Sequence, residues 1–148
     1  MKAILVPVDF SAATTRVCDA ACALAKITKA RLVLLHVIEP PPVLLGDAYA
    51  FDAGALAAAV TAGEKYATRR LRALGRRCSG GQQAVQTVQI TGRTVATILA
   101  KAASTKAAYI VLGSHGHGLA YDLLVGSTAQ GVLRKARCSV LVVPMGRR

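Results

Sequence analysis

The chain has 148 residues, of which 53% are hydrophobic and 4% aromatic, and its 19 Lys and Arg against 7 Asp and Glu give a formal charge of +12. This length fits one domain, over residues 1–148, and the hydrophobic fraction excludes intrinsic disorder. No apolar run approaches the about 20 residues that a membrane-spanning helix needs. The positive charge favours anionic partners such as nucleotides, nucleic acids or anionic lipids, without choosing among them.

The apolar run after Lys2 is interrupted by Pro7 and Asp9 before it reaches the length of a signal-peptide core. We therefore expect a soluble, cytoplasmic protein that does not associate with membranes.

The first strand is predicted at Ile4–Val8, and residues at helical spacing from Val17 to Ile27 then predict a first helix with Ser11 as its N-cap. The run Arg31–Ile38 is almost continuously apolar, which is typical of a strand that is covered on both faces of a parallel sheet. Residues 39–52 contain three consecutive prolines and apolar side chains, so they predict a long connection that serves as a lid or a partner surface.

A second helix is predicted over residues 53–77, followed by a more polar edge strand at Ala84–Ile90. A third helix follows Gly92, a buried strand covers Ala108–Leu112, and a fourth helix follows Gly126. The last strand is predicted over residues 138–143, with Pro144 as its end. This alternation predicts an open, mainly parallel five-stranded α/β sheet with helices on both faces.

Four cysteines lie in apolar patterns without zinc-finger spacing, and we interpret them as reduced core residues: Cys18, Cys22, Cys78 and Cys138. The first two are one helical turn apart, but a soft metal would need two further ligands, which nothing nearby in the sequence supplies.

Two loops that follow apolar strands carry chemically distinctive residues, namely Pro7–Ser11 and Gly113–Gly118. In open α/β sheets, ligands bind beyond the carboxyl ends of the strands, where the strand order reverses. If the first and fourth strands are neighbours, Asp9 and the glycine loop face one crevice.

A phosphate cradle is predicted at this crevice. Gly113 and Gly116 would allow positive φ and close approach of the backbone to a ligand. Gly126, Ser127 and Thr128 precede the fourth helix, whose first N–H groups lack helical acceptors and suit phosphate oxygens. From these residues alone, a simple turn at Gly126 and a simple cap at Ser127 remain an alternative.

The sequence resembles a known family at these positions. Gly113-Ser114-His115-Gly116, nine further residues and then Gly126-Ser127 match the G-x2-G-x9-G-[S/T] pattern of the ATP-binding branch of the universal stress proteins. The opening Pro7–Ser11, the pair His36-Val37 and the C-terminal Ser139–Pro144 are also similar to that family, so the resemblance covers the whole chain. Thr94 stands where relatives often have proline, and a threonine there can cap the third helix.

The resemblance implies an adenine nucleotide α-hydrolase-like (Rossmann-like) sheet of order 3-2-1-4-5 and a site for ATP, with Mg²⁺ or Mn²⁺ bridging the phosphates. It places adenine near Pro7, Val8 and the Val37 backbone, and Asp9 at the ribose or base edge. The phosphates would be held by Gly113, Gly116, Gly126, Ser127 and Thr128. The remaining predicted contacts of the nucleotide are Leu112, Ser114, His115 and His117.

The residues favour binding over catalysis. The chain has no P-loop lysine motif, no Ser-Gly-Gly-x-Asp-Ser loop and no His-Ile-Gly-His. We assign no catalytic or metal-ligating residue: His115 and His117 are interpreted as ligand or solvent contacts, and His36 as a packed neutral histidine.

The last strand is rich in valine and has few charges, so an exposed edge there would invite pairing. By resemblance, we expect a homodimer through Ser139–Pro144 and an unknown further protein partner. The leading hypothesis is an ATP-binding universal stress protein that acts as a nucleotide-dependent stress-response or signalling module. Two alternatives stay open: a slow ATPase, and a polyanion-binding protein that uses the basic run Arg69–Arg77, although no nucleic-acid reading motif is present.

Overall fold

The computed structural model describes residues 2–40, 53–80, 84–115 and 125–144. The predicted lid or partner surface at residues 41–52 therefore lies outside the described residues. The elements in chain order are β1 Ala3–Pro7, α1 Thr14–Thr28, β2 Arg31–Ile38, α2 Ala53–Cys78, β3 Val85–Thr91, α3 Thr94–Ser104, β4 Ala107–Gly113, α4 Ser127–Lys135 and β5 Ser139–Val143.

The five strands form one sheet in the order β3-β2-β1-β4-β5, and all four pairings are parallel. The central strand β1 pairs on both sides, so that Leu5 lies between Val33 and Ile110. The predicted fold class and strand order are confirmed, and β3 and β5 form the two edges as expected. The strand order reverses between β1 and β4, which leaves a crevice at their carboxyl ends.

Two apolar layers cover the sheet. Successive residues of a strand point to opposite faces, so Leu32 and Leu34 pack with α1 and α2 on one face. Val33 and Leu35 pack with α3 and α4 on the other face. This double burial explains why β2 is apolar at nearly every position.

The longest helix, α2, is buried along only part of its length. Its residues 54–66 are all exposed, including Leu56 and Val60. Burial begins at Ala67 and continues at Leu71, where α2 covers the sheet. Within the described ranges, none of the helices combines the length and the apolar character that crossing a bilayer requires.

The predicted N-cap Ser11 is wrong. α1 begins at Thr14, its N-cap is Ala13, and no side chain caps it. Ser11 instead donates its N–H to Asp9 Oδ1 (3.0 Å), while its carbonyl accepts the N–H of Thr14 (3.1 Å). The Asp9 carboxylate therefore draws Ser11 into a local turn, a well-known competitor of helix capping.

The predicted cap at Thr94 is also wrong in its detail. Thr94 is the first residue of α3, and Arg93 occupies the N-cap position without a side-chain cap bond. The Thr94 N–H (3.2 Å) and hydroxyl (2.5 Å) both donate to Glu39 Oε1. A carboxylate that follows β2 thus satisfies the start of α3, and it also favours the positive end of the helix dipole.

Of the four cysteines, Cys18 and Cys78 are buried as predicted, whereas Cys22 and Cys138 are only partly buried.

We expect burial to decide the cost of shortening isoleucines in the two layers. Ile98 is 0% exposed, so Ile98→Ala should lower the free energy of unfolding by about 2–5 kcal/mol through lost burial and a cavity. Ile27 is 82% exposed on α1, and Ile27→Ala should change the free energy of unfolding by less than about 0.5 kcal/mol. Urea unfolding of both variants measures the difference, and equal losses would contradict this description of the core.

Candidate functional site

A cavity of about 620 Å³ opens at the carboxyl ends of β1, β2 and β4, between α1, α3 and α4. The structure brings together around it nearly all the predicted ligand contacts, namely Pro7, Val8, Asp9, Val37, Leu112, Gly113, Ser114, His115, Gly126, Ser127 and Thr128. The other two, Gly116 and His117, lie outside the described residues. The cavity is also lined by residues that sequence reasoning missed, among them Thr14, Glu39, Thr94 and Ile98.

Part of the cavity wall is apolar. Val8, Leu35, Val37, Ile98 and Leu112 contribute to its wall. Leu35 and Ile98 are fully buried members of the layer beneath α3 and α4, so this wall is held by the core itself. A rigid apolar wall of this kind suits a flat ring system better than a flexible chain.

The backbone of Val37 faces the cavity. In a parallel strand, alternate residues bond to opposite neighbours. The Val8 N–H bonds to the Leu35 carbonyl (2.8 Å) on the β1 side, whereas the Gly92 N–H bonds to the Ile38 carbonyl (2.9 Å) on the β3 side. Val37 shares the orientation of Leu35, but β1 ends at Pro7, so its N–H and C=O point into the space beyond β1.

His36 keeps that position open. The next acceptor for the Val37 N–H along β1 would be the Val8 carbonyl, but His36 Nδ1 lies 2.8 Å from that oxygen. Because a carbonyl oxygen only accepts, Nδ1 carries the hydrogen. Among the hydrogen bonds of the described residues, none joins Val37 to Val8. The predicted packed histidine is therefore a positioning group that ends the β1–β2 ladder.

Aromatic and cationic groups hold the His36 ring. Phe10 stacks on it with ring centroids 4.4 Å apart, and the Arg70 guanidinium of α2 lies 5.3 Å from the Phe10 centroid. Phe10 has a φ of 61°, which is uncommon for a residue with a side chain. Phe10 lies between His36 of β2 and Arg70 of α2, so the loop after β1 is held from both sides.

The side of the cavity at the ends of β1 and β2 is acidic. Asp9 and Glu39, which follow β1 and β2, both line it. The hydrogen bonds from the Thr94 hydroxyl and N–H hold the pKa of Glu39 below its usual value, so this carboxylate is charged at neutral pH. The sequence analysis did not identify Glu39 as a lining residue, although it directly follows β2 and comes two residues after Val37, which was a usable signal.

The side of the cavity at the end of β4 carries backbone amides. α4 begins at Ser127 with Gly126 as N-cap, and no described side chain caps it. The Gly126 N–H donates to the Ser114 carbonyl (2.6 Å), while the Ser114 N–H donates to the Val143 carbonyl (2.9 Å), so the sheet fixes this helix end. The N–H groups of residues 127–129 have no acceptor within α4, and the helix dipole makes this end positive.

The predicted positive φ at Gly113 is wrong, because Gly113 is the last residue of β4 and no glycine of the described residues has positive φ. Gly116, for which positive φ was also predicted, lies outside the described residues. A Cβ on Gly126 would lie 3.2 Å from the Ser114 carbonyl oxygen, and one on Gly113 would lie 3.2 Å from the His115 carbonyl oxygen. Both glycines lie close to the loop after β4, so a side chain at either position would require the neighbouring carbonyl group to shift by a few tenths of an ångström.

Thr14 leaves a hydroxyl unsatisfied beside the cavity. The residue is 5% exposed and lines the cavity, and its Oγ1 has no hydrogen-bond partner within the described ranges. A buried hydroxyl without a partner costs about 1–3 kcal/mol. A polar atom of a bound molecule would remove that cost, so Thr14 is a further candidate contact. No sequence signal pointed to it.

Cations and metal ligands are scarce here. No Lys or Arg is among the described residues that line the cavity. The described part of the chain also holds no cluster of three or more His, Cys, Asp or Glu that could bind a metal ion. The amides of α4 are therefore the main positive group that the described lining offers to an anion.

These features define an open parallel α/β protein with a polarised crevice at its topological switch point. The sequence profile of the Universal stress protein family matches residues 1–144. A universal stress protein encoded in the QAH/OAS sulfhydrylase 3′ region of Thermus aquaticus is 33% identical over 142 residues, which cover 96% of this chain and 98% of the relative. The chain belongs to the universal stress protein family.

Solved structures agree with the fold. Universal stress protein UspA from Lactobacillus plantarum superposes with a TM-score of 0.80 at 27% identity, covering 96% of this chain and 97% of that one. A universal stress protein in complex with cAMP gives a TM-score of 0.72 at 22% identity, covering 97% of this chain and 96% of that one.

We expect amide hydrogen exchange to detect the open position at Val37. The Val37 N–H should exchange at least about 100-fold faster than those of Val33 and Leu35, which are paired with β1, since unpaired amides exchange without local opening. In His36→Leu the Val8 carbonyl is released, and the Val37 N–H should become protected. Equal protection of all three amides in the wild type would contradict the geometry described here.

Proposed function

We propose that this protein binds ATP in the cavity at the β1–β4 switch point and acts as a nucleotide-dependent stress-response or signalling module. The observation that carries the proposal is the order of groups along the carboxyl edge of the sheet. The backbone of Val37 and the Glu39 carboxylate lie at the end of β2, Asp9 follows β1, and the α4 amides lie beside the end of β4, where Gly126 bonds to Ser114. This order matches a base, a ribose and a phosphate chain.

Adenine fits the β2 side of the cavity. Its edge presents a ring-nitrogen acceptor and an amino donor, which are complementary to the N–H and C=O of Val37. Val8 and Leu112 supply apolar surface for the faces of the ring. The solved family structure with cAMP supports an adenine nucleotide as the class of ligand.

The ribose hydroxyls fit the two carboxylates that line the cavity. Carboxylates accept hydrogen bonds from sugar hydroxyls and repel phosphates. Asp9 Oδ1 already accepts the Ser11 N–H, which fixes the orientation of that carboxylate. Asp9 and Glu39 therefore orient the ligand, because a phosphate placed against them is unfavourable.

The phosphates fit the start of α4. Backbone N–H groups, the hydroxyls of Ser127 and Thr128, and the positive end of the helix dipole all favour anionic oxygens there. Since no Lys or Arg is among the described lining, we propose that Mg²⁺ or Mn²⁺ bridges the phosphate oxygens and neutralises part of their charge. Gly116 and His117 belong to the proposed phosphate contacts on the strength of the family pattern alone.

A charge reversal at Ser127 tests the phosphate site. Ser127 is exposed at the start of α4, and a carboxylate there suits the helix dipole, so Ser127→Glu should fold normally. We expect Ser127→Glu to weaken Mg-ATP binding at least about 10-fold, corresponding to about 1.4 kcal/mol. The matched neutral variant Ser127→Gln should bind within a few-fold of the wild type.

Isothermal titration calorimetry with Mg-ATP and with adenosine measures both parts of the ligand. Adenosine affinity should be the same in Ser127→Glu and Ser127→Gln, because adenosine has no phosphate. Equal Mg-ATP affinity in the two variants would place the phosphates elsewhere. DNA binding with steep salt dependence and no response to ATP would favour the polyanion alternative, and steady phosphate release would favour the ATPase alternative.

We further propose that the protein is a homodimer paired through Ser139–Pro144. β5 is an edge strand, and its Leu141 side chain is 39% exposed. An uncharged edge of this kind pairs readily with another strand, and a second copy of β5 is a symmetric partner for it.

We expect Leu141→Lys to shift the protein from dimer to monomer in analytical ultracentrifugation, because two lysines would face each other across the paired edges. Leu56 is 47% exposed on α2, which packs toward the other edge of the sheet, so Leu56→Lys is the matched control and should remain dimeric. A dimer that survives Leu141→Lys unchanged would argue against pairing through β5.

A further inference from the structure

The start of α1 lines the cavity at the switch point. α1 contributes Ala13, Thr14 and Val17 to the lining, and it packs on the face of the sheet opposite to α4. A Cβ on Gly113 would lie 3.4 Å from the Ala13 Cβ and 3.5 Å from the Val17 Cγ2. The start of α1 therefore lies beside the end of β4, on the side of the site where the phosphates are proposed.

Thr14 carries a polar atom that the protein itself leaves unsatisfied. The residue is 5% exposed and lines the cavity, and its Oγ1 has no hydrogen-bond partner among the described residues. Its N–H, in contrast, donates to the Ser11 carbonyl (3.1 Å). Buried polar groups in folded proteins nearly always have a partner, and an unsatisfied one destabilises the fold. A polar atom of a bound molecule would supply the partner that Thr14 lacks.

The position of Thr14 favours an anion as that partner. α1 is 15 residues long, and its first turn is the positive end of the helix dipole. No side chain caps this end, and the first turn contains no acidic residue. Thr15 and Arg16 do not line the cavity. The Thr14 hydroxyl is therefore the donor through which this helix end can contact a ligand.

Ser11 shows that an unsatisfied hydroxyl is not by itself a ligand contact. Its Oγ also lacks a partner within the described ranges, but Ser11 does not line the cavity. Its backbone holds the turn before α1, since the N–H donates to Asp9 Oδ1 and the carbonyl accepts the Thr14 N–H. Of the described residues, Thr14 alone combines an unsatisfied buried side-chain atom with a place in the cavity wall.

We propose that the Thr14 hydroxyl donates a hydrogen bond to a phosphate oxygen of the bound nucleotide, so that the phosphate chain lies between the starts of α1 and α4. This inference rests on the proposed function and adds a specificity-determining residue to the site. The positive ends of two helices then favour the same anion, in a cavity whose described lining has no Lys or Arg. Adenosine has no phosphate to accept this bond, so the contact favours a nucleotide over its nucleoside.

Thr14→Val tests the contact, because valine has nearly the shape of threonine but no hydroxyl. Without ligand, the melting temperature should rise by at least about 2 °C, since the unsatisfied group is gone. In isothermal titration calorimetry, the affinity for Mg-ATP should fall at least about 10-fold, whereas the affinity for adenosine should stay within about two-fold of the wild type. A purely structural role of Thr14 would not make the protein more stable and its ATP binding weaker.

Two further variants control for the change of shape and the change of stability. Thr14→Ser keeps the hydroxyl and loses a methyl group, so it should retain most of the affinity for Mg-ATP. Ser11→Ala removes the unsatisfied hydroxyl that lies outside the cavity lining. It should raise the melting temperature without changing the affinity for Mg-ATP.

The outcomes separate this inference from the proposed function. Equal Mg-ATP affinity of the wild type and Thr14→Val would overturn the inference and leave the proposed function intact. Equal losses for Mg-ATP and adenosine would place the hydroxyl at the sugar or the base and overturn the phosphate contact. A melting temperature that does not rise in Thr14→Val would mean that the hydroxyl already has a partner, such as an ordered water, and would also overturn it. A wild type that binds neither ligand would overturn both.

Discussion

The candidate site depends on one hydrogen bond, between the His36 ring and the Val8 carbonyl. Two parallel strands continue to exchange backbone hydrogen bonds until a donor or an acceptor is lost. Here the His36 side chain of β2 occupies the Val8 carbonyl, which the Val37 N–H of β2 would otherwise use. The chain after Val8 therefore turns away from β2, and the backbone of Val37 remains at the cavity wall. Asp9 and the start of α1 take their positions from that same turn.

Charge is distributed differently inside the site and over the whole molecule. The chain carries a formal charge of +12, yet the described lining of the cavity contains carboxylates, a histidine and helix amides without Lys or Arg. The excess positive charge raises the local concentration of anions around the protein. The cavity then discriminates among these anions through the orientation of its fixed groups. Fixed amides cost no rearrangement when a ligand arrives, whereas lysine side chains lose conformational freedom on binding.

The strands were predictable from the sequence because burial on both faces leaves a continuous apolar run, as in Arg31–Ile38. The order of the strands was implied by the resemblance to the family, since apolar runs alone do not determine it. The cavity was predictable because polar residues directly follow two such strands. The caps of α1 and α3 were not, since the groups that decide them lie elsewhere: Asp9 draws Ser11 into a turn, and Glu39 reaches Thr94 from 55 positions away.

The stack that begins at His36 links the loop after β1 to the surface of α2. Arg70 contacts both Phe10 and Tyr66, and it donates a hydrogen bond to the Tyr66 hydroxyl (2.7 Å), so the stack continues into the exposed part of α2. Residues 54–66 have no buried side chain, whereas burial begins at Ala67. The point at which α2 leaves the sheet is therefore tied to the same loop that borders the cavity through Asp9.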